Sequence, residues 1–201
     1  MSMTLLFFAA AYFLGSVNFS IILFKTLKKD DPRQMYSGNA GTTNVFRQAG
    51  PVWAAIVLLL DAGRAVLAAY LAILMLLPEH VPWVSFFLIL GNRFPFFHGF
   101  RGGKGVANYL GFTAVVSPLA AAVSCAVWVF VFAIERIPFI ASFAMVATLM
   151  AGTAAEYFEF PAAVAGALVT ALFICLNHWS NVTDFLKRKK MHERDNSRDS
   201  E

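Results

Sequence analysis

Residues 51–77 read Pro-Val-Trp-Ala-Ala-Ile-Val-Leu-Leu-Leu-Asp-Ala-Gly-Arg-Ala-Val-Leu-Ala-Ala-Tyr-Leu-Ala-Ile-Leu-Met-Leu-Leu, an apolar run interrupted by only two ionisable side chains, Asp61 and Arg64. A helix needs about 20 such residues to cross the hydrocarbon core of a bilayer, and this stretch supplies them. Outward from it the pattern repeats at residues 3–24, 83–91, 106–116, 119–134, 139–155 and 162–176. The reading is an all-α polytopic membrane protein with seven transmembrane helices. Composition agrees, since 59% of the 201 residues are hydrophobic and only 14% are charged, far from the balance of a soluble domain. Residues 106–116 span about half a bilayer on their own, so that segment is strongly tilted, continuous with the helix of the preceding motif, or re-entrant.

Charge placement sets the expected orientation. With seven crossings, Arg33, Arg47, Arg101, Lys104, Arg136 and the run Lys187, Arg188, Lys189, Lys190 fall on one side, while Glu79, Glu156 and Glu159 fall on the other. The positive-inside rule then places the C-terminus in the cytoplasm and the N-terminus outside. A re-entrant 106–116 segment would spoil that asymmetry, which favours seven crossings. Residues 1–17 lack the basic start and cleavage site of a signal peptide and read as a retained span. Residues 1–186 form one domain, and the charged tail 187–201 is expected to be disordered.

The net charge of +4 does not point to nucleic acid, because the cations sit at the ends of apolar segments rather than on a soluble face. Cys125 and Cys175 lie inside apolar runs and read as small core residues. No His, Cys and carboxylate cluster has metal-ligand spacing, and no metal is expected. Asp61 and Arg64 are three residues apart and share a helix face. They are either functional groups facing a polar cavity or a mutual ion pair that fixes packing.

Three polar clusters share one membrane side. Residues 37–47 read Ser-Gly-Asn-Ala-Gly-Thr-Thr-Asn-Val-Phe-Arg, residues 93–105 run from Arg93 to the motif Arg-Gly-Gly-Lys-Gly at 101–105, and residues 178–181 read His-Trp-Ser-Asn. Glycines let successive backbone N–H groups converge, and Thr43, Arg47 and Lys104 add donors of the kind that hold phosphate. The first two clusters therefore read as two walls of one anion site. The second is not a triphosphate-binding loop, because Gly105 follows Lys104 where Ser or Thr is required and His98 stands at the first glycine position. His178 and Asn181 would share a helical face, and His178 is either an interfacial anchor or a group that moves protons or holds phosphate.

In this order and on one side, the clusters resemble the bacterial glycerol-3-phosphate acyltransferases that take their acyl group from acyl phosphate, the small polytopic family often called PlsY. The resemblance runs from Gly15-Ser16 to Asn181. It rests on Ser37-Gly38-Asn39, Gly41, Thr43-Asn44 and Arg47; on Gly91, Phe94-Pro95, Phe100 and Gly102-Gly103-Lys104-Gly105-Val106; and on Ser142, His178 and Asn181. No histidine here is followed five residues on by aspartate, so the motif of acyl-CoA-dependent and acyl-ACP-dependent acyltransferases is absent, as in that family.

The resemblance implies a cytoplasm-facing site in the bacterial inner membrane that moves an acyl chain from acyl phosphate to the 1-hydroxyl of sn-glycerol 3-phosphate, yielding lysophosphatidic acid and phosphate. It implies Ser37, Arg47, Lys104 and His178 as catalytic residues. Gly38, Asn39, Gly41, Thr43, Asn44, Gly102, Gly103, Gly105, Ser142 and Asn181 would bind substrate. Partners are the two phosphorylated reactants and membrane lipids, with no cofactor; the oligomeric state stays open. The base is His178 or the departing phosphate. Direct attack is the expected route, with an acyl-enzyme on Ser37 or Ser142 as the alternative. Departures stand at Asn92, Arg64, Ala65, Phe139, Asn177 and the basic tail, and they keep open a non-catalytic or transport-like paralogue that binds a phosphorylated metabolite or lysolipid.

Overall fold

A computed structural model describes residues 3–198, and every regular element among them is helical. In chain order the helices are α1 (Met3–Ser16), α2 (Phe19–Thr26), α3 (Thr42–Ala49), α4 (Pro51–Met75), α5 (Val81–Arg93), α6 (Val106–Val116), α7 (Pro118–Glu135), α8 (Pro138–Glu156), α9 (Pro161–Leu176) and α10 (Trp179–Arg198). Helices α4, α5, α7, α8 and α9 each carry proline in their first two positions, where the missing N–H costs nothing and the fixed φ suits the first turn.

By length and composition, four stretches can each cross a membrane: Met3–Thr26, Pro51–Met75, Pro118–Glu135 and Pro138–Glu156. A fifth arises if α9 and the described start of α10, bent by 44°, form one span. The protein is an integral membrane protein, and its outer surface says so: Leu59, Leu119 and Phe130 are 70%, 76% and 68% exposed. Such a rind would aggregate in water and is at home in lipid.

The first apolar segment is not the single helix expected over residues 3–24. It breaks at Val17 and Asn18, where the Asn18 side chain accepts from Ile21 N at 3.1 Å and restarts the chain as α2, an N-cap in the ordinary sense. The orphaned carbonyls at the end of α1 are taken by Arg64, described below. The tail also differs from expectation. Residues 187–198 continue α10 because the segment holds no proline or glycine and is rich in helix-forming Lys, Arg and Glu. Phe185 packs edge-on against Phe139, with ring centroids 5.9 Å apart, and fastens its start. Residues 199–201 lie outside the described residues.

Helices α1 and α5 cross at backbone contact. A Cβ on Gly15 would stand 1.9 Å from Leu88 O, and one on Gly91 would stand 2.0 Å from Tyr12 O. Around this crossing Ala65, Ala68, Val84, Leu88 and Phe112 form one core, while Ile89, Tyr109, Val146, Leu149 and Ile174 form a second between α5, α6, α8 and α9. Helix α6 sits in the middle with Asn108, Tyr109, Gly111, Phe112 and Thr113 buried. At about 16 Å long, it is too short to face lipid across a whole bilayer, and its neighbours spare it from doing so.

The bundle has two unlike ends. At one, Trp83 Nε1 donates to Ala162 O at 2.8 Å and Ser117 Oγ donates to Glu156 Oε1 at 3.1 Å. At the other, the loops before α3 and α6 and the junction of α9 with α10 come together, and this end carries the cations.

Candidate active site

The first loop is built around two side chains that fasten backbone. Asn44 Nδ2, buried under the loop, donates to Pro32 O at 2.7 Å, Asn39 O at 2.9 Å and Met35 O at 3.2 Å. Arg33 pairs with Asp31 at 2.6 Å and donates Nη1 to His98 O at 2.6 Å and Arg101 O at 2.8 Å. Hydrogen bonding to Arg33 holds the Asp31 carboxyl below its ordinary range, so this pair stays ionised and keeps the first loop tied to the second.

The second loop closes on the first through backbone. Gly102 N donates to Arg93 O and Gly103 N to Asn92 O, both at 3.0 Å, and Ala40 N donates to Gly102 O at 3.4 Å. Gly103 is required by proximity, since a Cβ there would stand 2.5 Å from Asn92 Oδ1 and 2.9 Å from Ala40 O. Gly105 is required by conformation: its φ of +93° turns the chain into α6, in a region L-residues avoid. Tyr36 and Phe100, one in each loop, also take positive φ, a local cost of about 1 kcal/mol each of the kind that gathers at functional sites.

The third cluster joins from α10. Asn177 Nδ2 donates to Lys104 O at 3.4 Å, and the Lys104 ammonium donates to Asn181 Oδ1. Together the three segments enclose a cleft of about 280 Å³ lined by Ser37, Gly38, Asn39, Arg93, Phe94, Phe100, Arg101, Gly102, Lys104, Asn177 and Ser180. Three cations and no carboxylate line it, so its chemistry is that of an anion receptor. Phe94 and Phe100, 40% and 53% exposed, give one side an apolar face beside the charges.

Electrostatics follow from the crowding. Burial, with Arg93 and Arg47 nearby, brings the Lys104 pKa down to about 8, so the ammonium is still charged at neutral pH but close to losing its proton. His178, buried against Phe143 with ring centroids 5.5 Å apart, is pushed down to about 4 by burial and by the charge of Lys104. It is therefore a neutral imidazole. Because Ile174 O at 2.8 Å can only accept, Nδ1 carries the hydrogen and Nε2 keeps the lone pair.

Of the residues expected at the site, Ser37, Gly38, Asn39, Gly102 and Lys104 line the cleft. Asn181 reaches it through Lys104, His178 lies behind that pair, and Arg47 acts on it by charge from an exposed position on α3. Gly103 and Gly105 shape its wall. Gly41 caps α3 and Thr43 is exposed on that helix, while Asn44 braces the loop from beneath. Ser142 stands apart: its hydroxyl donates to Pro138 O at 2.9 Å and accepts from Trp128 Nε1 at 3.3 Å, and it is not among the lining residues. In sequence, Arg93, Arg101 and Ser180 stand inside the polar clusters without a role of their own, and Asn177 reads only as a departure; the structure makes all four lining groups.

Asp61 and Arg64 do not line the cleft. They form a buried ion pair at 2.8 Å, which selects the packing alternative for this pair. Among the described residues, no three His, Cys, Asp or Glu side chains are grouped to hold a metal.

A family model described as glycerol-3-phosphate acyltransferase matches residues 5–188. A glycerol-3-phosphate acyltransferase of Jannaschia sp. (strain CCS1) is 38% identical over 178 residues, covering 88% of this chain and 86% of the relative. The crystal structure of PlsY (YgiH), an integral membrane glycerol 3-phosphate acyltransferase in its glycerol 3-phosphate form, superposes with a TM-score of 0.84 at 31% identity, covering 92% of this chain and 93% of that one. The lysophosphatidic acid form of the same protein gives a TM-score of 0.82 at 30% identity over the same shares.

Proposed function

The chain belongs to the glycerol-3-phosphate acyltransferase family, and on that premise we propose that the cleft between the Ser37 loop, the Lys104 loop and the start of α10 is where the acyl group moves. The protein is an acyltransferase that acylates glycerol 3-phosphate to lysophosphatidic acid. The donor in this reading is acyl phosphate and the acceptor atom is the 1-hydroxyl. One observation carries it: three segments far apart in sequence meet in a single carboxylate-free cleft holding Arg93, Arg101 and Lys104, which suits two phosphorylated reactants.

An acyl phosphate is a mixed anhydride with a good leaving group, so the protein needs mainly to position and to neutralise charge. Lys104, Arg93 and Arg101 face the phosphates, with Arg47 adding charge from outside. Ser37 and Asn39 supply neutral polar groups. The glycerol oxygen attacks the acyl carbon, the bond from that carbon to the phosphate oxygen breaks, and phosphate leaves with the electron pair. Between the two bases, departing phosphate is the stronger, because it leaves as an anion with the electron pair whereas burial and the charge of Lys104 hold the His178 imidazole to about 4. The hydroxyl proton goes to phosphate, and neutral His178, behind the Lys104–Asn181 pair, backs that wall of the cleft. No acyl-enzyme is required.

Around this site the proposal keeps seven crossings, the N-terminus outside and the C-terminus in the cytoplasm of a bacterial inner membrane. The gathering of Arg33, Arg93, Arg101 and Lys104 at one end supports the orientation; among the described residues four stretches, or five with the bent pair, are long and apolar enough to cross. Residues 1–186 carry the chemistry. The test is turnover by purified protein given acyl phosphate and glycerol 3-phosphate. Equal amounts of phosphate and lysophosphatidic acid are expected, and binding of both reactants without release of either product would refute the reading.

A further inference from the structure

Arg64 lies on α4 outside the cleft, yet it touches the segments that carry both cleft walls. On one edge, Nη1 donates to Gly15 O at 3.1 Å, Leu14 O at 3.4 Å and Val17 O, carbonyls at the end of α1 and in the break that follows it. The guanidinium carbon sits 5.2 Å from the ring centroid of Phe19, the first residue of α2. Between Val17 and Phe19 stands Asn18, whose Nδ2 donates to Ala40 O at 3.3 Å, and Ala40 N donates in turn to Gly102 O. On the other edge, Nε donates at 2.8 Å to Oδ1 of Asn108, a buried residue one turn along α6 from Lys104.

A guanidinium is a rigid plane with donors on three sides. Here that plane spans from the break before α2, which positions the Ser37–Ala40 wall, to the first turn of α6, which follows the Lys104 wall directly. Asp61, 2.8 Å away, holds the plane in place. Burial alone requires that the guanidinium find acceptors; what is particular here is that they lie on both edges, beside the two cleft walls, which a cation with its donors at one point could not reach at once.

We infer that Arg64 and Asn108 form a positioning unit for acyl transfer, setting the Lys104 ammonium at a working distance from the Ser37–Ala40 wall. Neither residue touches substrate; both act through Lys104 and the first loop. The inference rests on the placement of the reaction in the Lys104 cleft.

A double-mutant cycle on the purified full-length protein tests it. Asn108→Ala, Lys104→Ala and the double variant are assayed for kcat and KM with acyl phosphate and glycerol 3-phosphate, and thermal unfolding is followed alongside. Asn108→Ala is expected to lower kcat/KM about ten- to a hundredfold, the scale of a misplacement of up to about 1 Å. The same change in the Lys104→Ala background should cost no more than about twofold, because an absent ammonium cannot be misplaced. Equal losses in both backgrounds, or a lowered unfolding midpoint with kcat/KM per folded molecule unchanged, would overturn the inference. Should Asn108→Ala fail to fold, Arg64→Lys takes its place in the same cycle, with the same two outcomes. Wild-type rates in Lys104→Ala alone would instead sink the cleft assignment, a result read without any change at Asn108.

Discussion

Arg64 and Lys104 are two cations drawn out of bulk water by one helical bundle, and they differ in what the protein does with their donors. Arg64 gives its N–H groups to three carbonyls and an asparagine and sets its charge against Asp61. Lys104 has three N–H groups and, among the described residues, one hydrogen-bond partner, Asn181. The cation engaged by both neighbouring helices holds the structure together. The other sits in a cleft with two further arginines, and in the proposed function its remaining donors meet an anion.

The sharpest way to break this contrast is to remove each cation in turn. Arg64→Ala leaves Asp61 buried without its partner, and loss of one member of a buried pair costs about 3–5 kcal/mol. The expected outcome is a large fall in the unfolding midpoint or no folded protein, read by thermal scanning in detergent. Lys104→Ala should leave that midpoint within a few degrees or raise it, because the ammonium is desolvated and underpaired. Its kcat/KM should fall by about 30- to 160-fold, the equivalent of about 2–3 kcal/mol of charge-assisted bonding. A destabilised Lys104→Ala, or a stable Arg64→Ala, would erase the distinction.

A smaller effect sharpens it at the seam between loops. Gly103→Ala must push aside both the Asn92 side chain and the Ala40 carbonyl, an overpacking cost of about 1–3 kcal/mol. It should lower kcat/KM for glycerol 3-phosphate by parting the two walls, with KM rising more than kcat falls. The smallest expected effect is in pH dependence. Lys104 is charged below its folded pKa of about 8 and loses its charge as pH rises through that value, so kcat/KM should decline on the alkaline side with a midpoint there. Arg93→Gln removes a like charge and should move that limb upward, by less than burial alone displaces it. A limb that stays put would show that Arg93 does not act on Lys104.

Much of this was legible before any coordinates. Hydrophobic runs of about 20 residues announce spans because the bilayer imposes the length, and the runs at residues 51–77, 119–134 and 139–155 reappear as α4, α7 and α8 almost unchanged. The joining of Ser37, Gly102 and Lys104 was also readable, because glycines beside cations and hydroxyls are a local signature of anion binding. Roles that depend on distant partners were not. Asn44 looked like a ligand group until its amide was found committed to three carbonyls of its own loop. Ser142 looked like a polar contact until its hydroxyl was found between Pro138 and Trp128. Arg64 could have faced a cavity or a partner, and only the break at Val17 shows which.

The sequence by itself determined that this chain lives in a membrane, where its long apolar helices fall, and which glycine-bearing, cationic loops to bring together, because hydropathy, proline placement and glycine motifs act within a turn or a loop. Tertiary structure decided which polar groups remain free to meet a ligand. A donor's availability depends on which acceptors other helices bring within about 3 Å of it, and that is a property of packing that no stretch of residues carries alone.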